Sequence, residues 1–429
     1  MKIKCSNSLI RLAQIFGHQT PLYIVGGYVR NAIMGRQDTD IDICSALTIE
    51  QVMHILDGTE YLVKIKSAKM GTVTIICGNE EYEHTTFRHE MYDDIGTHTP
   101  TSVEFVNSLE DDSRRRDFTI NSIYYNITTG KIIDIFGGVA DTNNKIVKCI
   151  IDGDYVFGSD GLRILRCLRF AVELGFAIEN ETMQSLIKNK AKLNAITGER
   201  KTSELKKMFG TVSKMSSDEI NSKSVQAIRY ITKFELLPNI FGQVKKLKNM
   251  KIENFIYFLS PYSNNKFNAF ICDIYNYTKD KLDFTDMDFE TNILGSLGLN
   301  LSRRQTKYFL QLCKALNLEP NTNLKKRLYV TQSIHMWNDL TELLKIKNAE
   351  FLNEIVLLRS EMVETHCPMD KKDLAIKAKD IIDNFDCDVK ILTNLLWRLY
   401  LVCLQTPQLN SVDALIDYIK QTKMIKEEK

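Results

Sequence analysis

The distribution of glycine and of short β-type runs divides the chain near residue 140, and this division constrains its fold most strongly. Eleven of the 20 glycines lie in residues 1–140 of the 429-residue chain. The same part contains short runs rich in β-branched and aromatic residues, several with period-two alternation, at residues 22–25, 41–43, 72–76, 82–87 and 120–125. From about Asp141 onward, long stretches of Leu, Ile, Lys and Glu predict helices. We therefore expect an α+β front part with a small mixed sheet, followed by an all-helical remainder.

Composition excludes several classes of protein. The chain is 44% hydrophobic and 26% charged, which is typical of a globular protein. We find no apolar run of the roughly 18 residues that a membrane helix needs, so we expect no membrane segment. The ten cysteines contain no C-x-x-C pair, which argues against a zinc site and against a disulfide framework. We expect a cytoplasmic protein.

The charge is distributed unevenly along the chain. Residues 1–140 carry 13 Lys and Arg against 18 Asp and Glu, although the net charge of the whole chain is +2. An acidic front and a basic rear are consistent with a metal-binding part joined to a part that binds a polyanion. The alternative is an ordinary solvated surface, and the charge count alone does not decide between them.

A glycine pair and an acidic pair lie close together near the N-terminus. Gly26 and Gly27 follow a predicted strand and precede Arg30, and Asp40 and Asp42 follow shortly after. Residues two apart in an extended strand project from one face, so we expect both carboxylates to point the same way. Two neighbouring carboxylates are costly to keep ionised without a cation, and Mg²⁺ is the cation that takes carboxylates together with substrate phosphates. The glycines would let the backbone approach a triphosphate, which Arg30 would neutralise.

A second constellation of charges begins at Asp160. Arg163, Arg166 and Arg169 follow at intervals of three, with apolar residues between them. On one helix the first three of these four charges share a face while Arg169 turns away. Such a pattern is often a solvated helix face, but three arginines on one short helix also suit the binding of a nucleotide.

Asp160 and Arg163 together offer a hydrogen-bond acceptor beside a donor. Cytosine and adenine both present an exocyclic amine beside an unprotonated ring nitrogen, whereas uracil and guanine present a carbonyl beside an N–H. Asp160 would accept from the amine and Arg163 would donate to the ring nitrogen, so the wrong bases would leave buried groups unpaired. Arg166 and Arg169, with Arg116, are then candidates to hold the triphosphate.

These residues belong to a series of motifs that resembles the class II tRNA nucleotidyltransferase and bacterial poly(A) polymerase family. Besides the glycine and aspartate pairs, the matching segments are Gly71–Thr74, Tyr82–Arg88, Arg115–Asn121, Asp134–Gly138, Asp160–Phe170, Glu199–Arg200 and Glu204–Leu205. The resemblance covers residues 21–210 and is loose beyond them. It implies a polymerase-β-like nucleotidyltransferase head with a small mixed sheet, followed by an all-helical neck, body and tail.

The resemblance also implies the reaction. We expect template-independent addition of CCA, from CTP and ATP, to the 3′ end of tRNA. Two Mg²⁺ ions would activate the RNA hydroxyl and stabilise the leaving pyrophosphate. Glu83 would join Asp40 and Asp42 as a catalytic carboxylate, whereas its alternative is a surface residue of a strand. We expect Asp117 to position its motif, and Asn121 to fix the loop or contact the sugar.

The predicted domains are the head at residues 1–140, the neck at 141–210, the body at 211–295 and the tail at 296–429. The partners are the 3′ end and acceptor arm of tRNA, CTP and ATP, and no protein partner is implied. The nearest alternatives are a CC-only enzyme, an A-only enzyme and a poly(A) polymerase. A non-catalytic RNA-binding protein is a further alternative, against which the close carboxylate pair argues.

Three positions depart from the pattern of the family. Asn31 replaces an aspartate, although its amide can still hydrogen-bond Arg30. Ser159 replaces an acidic residue and should alter one hydrogen bond that orients the base-reading pair. The loop at residues 96–100 lacks the basic pair of relatives that add A, since no Lys or Arg occurs between Arg88 and Arg114. The sequence therefore leaves open whether the terminal A is added.

Overall fold

The computed structural model describes residues 3–36, 40–92, 100–210, 217–242, 244–260, 263, 265–281, 285–295 and 298–425. Asp38 and Thr39 of the acidic run, and residues 96–99 of the loop that lacks basic residues, lie outside these ranges. Within the described ranges, we find no helix of the length and apolar character that crossing a membrane requires.

Helices and strands alternate in the N-terminal part. The strands are β1 (Tyr23–Val25), β2 (Asp42–Ser45), β3 (Leu62–Ser67), β4 (Thr72–Cys77), β5 (Glu80–Thr86), β6 (Arg88–Met91), β7 (Ser102–Phe105), β8 (Ile123–Asn126), β9 (Ile132–Asp134), β10 (Ile146–Val147) and β11 (Ala177–Ile178). The helices up to Asn143 are α1 (Asn7–Phe16), α2 (Gly27–Ile33), α3 (Ile49–Leu56), α4 (Leu109–Arg114) and α5 (Gly138–Asn143).

The rest of the described chain is helical apart from β10 and β11. Its helices are α6 (Gly153–Ser159), α7 (Leu162–Leu174), α8 (Asn180–Asn189), α9 (Gly198–Phe209), α10 (Ser217–Lys233), α11 (Leu237–Ile240), α12 (Ile256–Leu259), α13 (Lys266–Lys281), α14 (Asp286–Phe289), α15 (Arg303–Leu316), α16 (Asn323–Ser333), α17 (Trp337–Lys347), α18 (Ala349–Glu364), α19 (Ala378–Asn384), α20 (Val389–Gln405) and α21 (Val412–Thr422). The change from a mixed to a helical pattern confirms the predicted α+β class.

Seven strands form one mixed sheet in the order β3-β4-β5-β2-β1-β8-β9. β2 and β5 pair in parallel, whereas β1 pairs in antiparallel fashion with both β2 and β8. The predicted strand at residues 120–125 begins late, because Thr119–Asn121 form a 3₁₀ turn. β3 was not predicted, since it lies at the sheet edge with Leu62 and Ile65 exposed and shows no buried alternation.

Alternation along β1 and β2 separates two faces of the sheet. Ile24 and Ile43 join the hydrophobic core that α1 and α3 cover, whereas Val25 and Cys44 belong to a smaller cluster. Successive side chains of a strand point to opposite faces, so Asp42 projects on the side of Cys44, away from α1 and α3. The sheet therefore presents the carboxylate on the face opposite its main helical cover.

α5 packs on the 3₁₀ turn through a glycine. Asp134 accepts hydrogen bonds from the backbone N–H groups of Gly138 and Val139, at 2.8 and 2.9 Å, and so caps the start of α5. A Cβ atom on Gly138 would lie 2.2 Å from the carbonyl oxygen of Thr119. The Gly137-Gly138 motif thus brings α5 against the turn that carries Asn121.

The chain separates into two compact units. The first contains residues 1–252 and 287–301, and the second contains 253–286 and 302–429. In the second unit, the buried carboxylate of Asp273 accepts from the N–H groups of Tyr257 and Phe258, and Lys266 donates to the carbonyl oxygen of Phe258. The finer division into head, neck, body and tail stays a prediction.

We expect Gly138→Ala to lower the free energy of unfolding by about 2 kcal/mol, because the methyl group forces the Thr119 backbone and α5 apart. Urea denaturation of the purified chain measures this. Gly158→Ala is the matched control: Gly158 lies within α6, and a Cβ there would meet no atom within 4 Å. The control should be neutral or slightly stabilising, and equal effects of the two changes would contradict the proposed packing.

Candidate active site

A cleft of about 520 Å³ opens between the face of the sheet that carries Asp42 and the start of α7. Its described lining residues are Gly26, Gly27, Arg30, Asp42, Met70, Arg88, Glu90, Tyr92, Arg115, Arg116, Asp117, Asn121, Asp160, Leu162, Arg163, Arg166, Phe170 and Arg200. Seven of these are arginines and four are carboxylates. The size suits a small-molecule ligand, and the excess of cations favours an anionic one.

The glycine pair forms the turn between β1 and α2. Gly26 has a φ of 78°, in the region that glycine adopts without strain, and the backbone enters α2 directly afterwards. Arg30 is buried, and its guanidinium donates to the side-chain oxygens of Asn121 and Asn31. Asn31 thus keeps the hydrogen bond to Arg30 that the sequence predicted for its amide.

Asp42 is the first residue of β2 and its side chain remains accessible. Desolvation by the surrounding protein, followed by the charge of Glu83, raises the pKa of Asp42 to about 6, and the charge of Asp40 adds to the rise. Asp40 precedes the strand and is exposed. The two aspartates therefore share one electrostatic environment.

Glu83 stands opposite Asp42 in the parallel pairing of β2 and β5. Side chains at paired positions of neighbouring strands project to the same face. The carboxylate of Glu83, however, forms an ion pair with the ammonium group of Lys66. Glu83 therefore lies next to the aspartates, but its carboxylate is paired with Lys66.

The oxygen donors of this region fit a metal ion for which the chain supplies only some of the ligands. Among the described residues, no group of three or more His, Cys, Asp and Glu side chains is arranged to hold a metal ion. Mg²⁺ is commonly bound through one or two carboxylates, with water and substrate phosphates as its other ligands. Asp40 and Asp42 fit that incomplete ligand set.

Asp117 links the glycine turn to α7. One carboxylate oxygen accepts from the backbone N–H of Phe118 and the side-chain amide of Asn121, and the other accepts from Arg166. Burial by itself would raise the pKa of Asp117, but the charge of Arg166 and the hydrogen bond from Asn121 outweigh it and lower that pKa to about 2. The result is a continuous chain of hydrogen bonds from Arg30 through Asn121 and Asp117 to Arg166.

Arg116 is fixed by Tyr124 and Asp112. Its guanidinium donates to the hydroxyl of Tyr124 at 2.9 Å and forms an ion pair with Asp112 at 3.0 Å. The third guanidinium nitrogen, Nη1, lies 3.9 Å from the position that a Cβ atom of Gly26 would take. Arg116 therefore stands beside the glycine turn, where the sequence predicts a triphosphate.

Asp160 precedes α7 in extended conformation, so the predicted helix over Asp160–Phe170 begins two residues later than expected. Its carboxylate accepts from the backbone N–H of Leu162, the first residue of α7, at 2.9 Å. Arg200 of α9 donates to both carboxylate oxygens of Asp160, at 3.4 and 3.1 Å. These hydrogen bonds, rather than a helical face, orient Asp160 at the cleft.

Arg163 is oriented by three acceptors. Its guanidinium donates to the carbonyl oxygen of Val156 at 3.3 Å, to the hydroxyl of Ser159 at 3.1 Å and to the carbonyl oxygen of Arg115 at 2.7 Å. Ser159 thus takes part in orienting the predicted base-reading pair. The bond to Arg115 ties α7 to the segment that carries Arg116.

The remaining two arginines of α7 differ in position. Arg166 lines the cleft and binds Asp117. Arg169 is not among the lining residues: it forms ion pairs with Glu204 at 2.6 Å and Glu173 at 2.8 Å, and it stacks on Phe170. The structure therefore places Arg169 between α7 and α9, in agreement with its turning away from the other charges.

Sequence reasoning assigned no role to five polar lining residues: Arg88, Glu90, Tyr92, Arg115 and Arg200. Glu90 is buried and joins Arg88, Arg115 and Tyr92 through ion pairs and a hydrogen bond. Arg88, Arg115 and Arg200 lie in segments already identified as motifs, which was the available signal. Glu90 had none, because its position follows from the pairing of β6 with β7, and neither had Tyr92, which directly follows β6.

The mixed sheet, the glycine turn before a short helix and the carboxylates beside an arginine-rich cleft together define a polymerase-β-like nucleotidyltransferase. Two family models match the chain: the Poly A polymerase head domain over residues 22–148, and the probable RNA and SrmB-binding site of polymerase A over residues 175–212. The CCA-adding enzyme of Staphylococcus aureus (strain MRSA252) is 31% identical over 334 residues, which are 77% of each chain. This chain belongs to the CCA-adding enzyme family of nucleotidyltransferases.

Solved structures show the same fold. The Bacillus stearothermophilus CCA-adding enzyme in complex with CTP superimposes with a TM-score of 0.75, at 23% identity and 98% coverage of each chain. The Thermotoga maritima CCA-adding enzyme complexed with tRNA gives a TM-score of 0.58 at 19% identity, covering 93% of this chain and 90% of the other. The head and the helical remainder thus follow the architecture of that family.

We expect Asp42→Asn to stabilise the metal-free protein at pH 7.5 and to leave its stability unchanged near pH 4. Because the pKa of Asp42 is about 6 when folded and near 4 when unfolded, the unfolded chain loses this proton first. The ionised carboxylate therefore disfavours folding increasingly as the pH rises through that window. Thermal melts at both pH values measure the effect.

Asp57→Asn, which removes an exposed carboxylate at the end of α3, is the control for the loss of a negative charge. A melting temperature that responds equally to both changes at pH 7.5 would contradict the raised pKa of Asp42, which desolvation, Glu83 and Asp40 produce together.

Proposed function

We propose that this protein adds C, C and A to the 3′ end of tRNA without a nucleic-acid template, using CTP and ATP and releasing pyrophosphate. The observation that carries the proposal is the convergence of two kinds of group on one cleft. Asp160 and Arg163, an acceptor beside a donor, line the same cleft as Asp42 and the arginines beside the glycine turn. Base selection and phosphate chemistry would thus take place on one bound nucleotide.

Asp160 retains the capacity to read an amine. A carboxylate has about four lone-pair sites, and among the described residues Leu162 takes one and Arg200 takes two. One site on Asp160 is therefore left for the exocyclic amine of cytosine or adenine. Arg163 has five N–H donors, of which the described chain engages three, so a ring nitrogen can be bound as well.

The triphosphate would lie along the glycine turn. Arg30, Arg116 and Arg166 are held by hydrogen bonds or ion pairs at the cleft, so their charges are already in place when the nucleotide binds. Arg169 would support this arrangement from behind, by holding α7 against α9. The RNA 3′-hydroxyl oxygen would form a bond to the α-phosphorus as the bond to the pyrophosphate oxygen breaks.

Asp40 and Asp42 would hold Mg²⁺ together with phosphate oxygens of the nucleotide. When bound, Mg²⁺ supplies a Lewis acid that lowers the pKa of the attacking hydroxyl and stabilises charge on the leaving pyrophosphate. Asp42, with a pKa of about 6, is largely ionised at pH 7.5 and can serve as a ligand without losing a proton first.

The helical remainder would bind the acceptor arm of tRNA, with residues 141–210 acting as a neck, 211–295 as a body and 296–429 as a tail. We place the reaction in the cytoplasm. All ten cysteines are free thiols, as is usual in a reducing compartment.

A CC-only activity is the second candidate. It is favoured by the absence of Lys and Arg between Arg88 and Arg114, a stretch that includes the loop before Pro100. The neck does not distinguish the two candidates, because Asp160 and Arg163 would read cytosine and adenine alike.

We expect purified protein to extend a tRNA transcript lacking CCA by three residues with CTP and ATP, and a transcript ending in CC by one residue with ATP. A tRNA with CCA complete should not be extended, which separates this activity from poly(A) synthesis. Gel electrophoresis at single-nucleotide resolution measures the products. Extension that stops after two C residues would establish the CC-only alternative.

Asp160→Ala should relax base choice, because the acceptor for the amine is lost. We expect the preference for CTP over UTP, measured as the ratio of kcat/KM values, to fall at least about tenfold. Asp154→Ala removes a partly exposed carboxylate of the neighbouring helix α6, which pairs with Lys188, and is the control. Unchanged selectivity in the Asp160 variant would contradict its assignment to the base edge.

A further inference from the structure

Lys66 occupies an irregular position at the edge of the sheet. The register between β3 and β4 shifts between Ile65 and Ser67, so Lys66 is the extra residue of a β-bulge. A bulge interrupts the regular alternation of side chains and can re-aim the residue it contains. The side chain of Lys66 reaches past β4 to β5, where its ammonium group binds the carboxylate of Glu83.

The ion pair stands beside the predicted metal ligands. Glu83 pairs across β5 and β2 with Asp42, and across β5 and β4 with Thr74. Thr74 in turn pairs with Lys64 of β3, so Lys64 rather than Lys66 continues this row. The bulge therefore selects Lys66, and not the lysine in register, as the partner of Glu83.

The charge of Lys66 acts on the whole acidic group. The hydrogen bond and charge of Glu83 raise the pKa of Lys66, and Asp42 and Asp40 add to that rise. Conversely, Lys66 is one of two cations that oppose the upward shift of the pKa of Asp42. The chain thus provides its own cation at the place where three carboxylates approach each other.

We infer that Lys66 is a positioning residue that restrains the Glu83 carboxylate and so keeps the affinity of the acidic group for a free divalent cation low. Asp40 and Asp42 then bind the cation firmly only when nucleotide phosphates supply further ligands. This inference rests on the proposed function, because it assumes that these aspartates hold Mg²⁺.

The reasoning is a comparison of ligand sets. With Glu83 tied to Lys66, the chain offers a cation two carboxylates and a neighbouring ammonium charge that repels it. Without Lys66, the chain would offer a third carboxylate and lose the repulsion. Both effects act in the same direction and raise the affinity for a bare cation.

The test is a titration of the nucleotide-free protein with Mn²⁺. The electron paramagnetic resonance signal of free Mn²⁺ measures how much of the cation is bound. Lys66→Met should lower the Kd for Mn²⁺ about fivefold, the ratio expected for an exposed ion pair worth about 1 kcal/mol. Lys64→Met is the control. It removes a lysine of the same strand, whereas the ion pair of Glu83 is formed with Lys66, and it should change the Kd less than about twofold.

A double-mutant cycle shows whether Lys66 acts through Glu83. In the Glu83→Gln background, Lys66→Met should lower the Kd by a smaller factor than in the wild type, because only the repulsion is removed and there is no carboxylate to release. An equal gain with and without Glu83 would mean that Lys66 acts by bulk charge, and the inference would be overturned. No gain from Lys66→Met, or a gain of the same size from Lys64→Met, would overturn it as well.

The proposed function is judged separately, by CTP incorporation into tRNA at saturating Mg²⁺. If the wild-type protein incorporates CTP but the Kd for Mn²⁺ is the same in all variants of the cycle, only the role of Lys66 is overturned. Absence of incorporation by the wild-type protein overturns the proposed function. Thermal melts of each variant confirm that the fold is kept.

Discussion

The buried carboxylate of Asp117 is the interaction on which the arrangement of the cleft depends. It accepts from Phe118 and Asn121 on one oxygen and from Arg166 on the other, so its lone pairs are almost fully used. Through Asn121 it fixes Arg30 at the glycine turn. A buried charge is stable only when it is paired and hydrogen-bonded, and here the pairing requires the sheet and α7 to meet. Assembly of the cleft is therefore coupled to folding of the first unit.

Much of this architecture is predictable, because it follows from patterns of residues that are close in sequence. Period-two alternation predicts β2 and places Asp42 on the face opposite Ile43. The glycine pair before Arg30 predicts the turn into α2. The mixed sheet and the helical remainder followed from the change of pattern near residue 140. These features depend on residues close in sequence, where spacing determines direction.

The parts that were not predictable depend on partners distant in sequence. The spacing predicts Asp160 on one helix with the arginines, whereas α7 begins at Leu162, because spacing alone does not show where a helix begins. The spacing predicts Arg169 as a candidate to hold the triphosphate, and it gives no sign of the ion pair that Arg169 forms with Glu204 of α9. The family resemblance implies that Glu83 joins the acidic pair, but its ion pair with Lys66 depends on a bulge in a strand that the pattern does not reveal. Pairing between elements, not periodicity, decides what each charge touches.

The hydrogen bond between Arg163 and residue 115 has a consequence for how these two positions can vary in evolution. Arg163 binds the carbonyl oxygen of Arg115, not its side chain. Any amino acid at position 115 that keeps the local conformation preserves this acceptor. The tether between α7 and the end of α4 can thus survive replacement of Arg115, while position 163 must keep its arginine. Variation at the two positions need not be correlated, so methods that infer proximity from paired substitutions would overlook this contact.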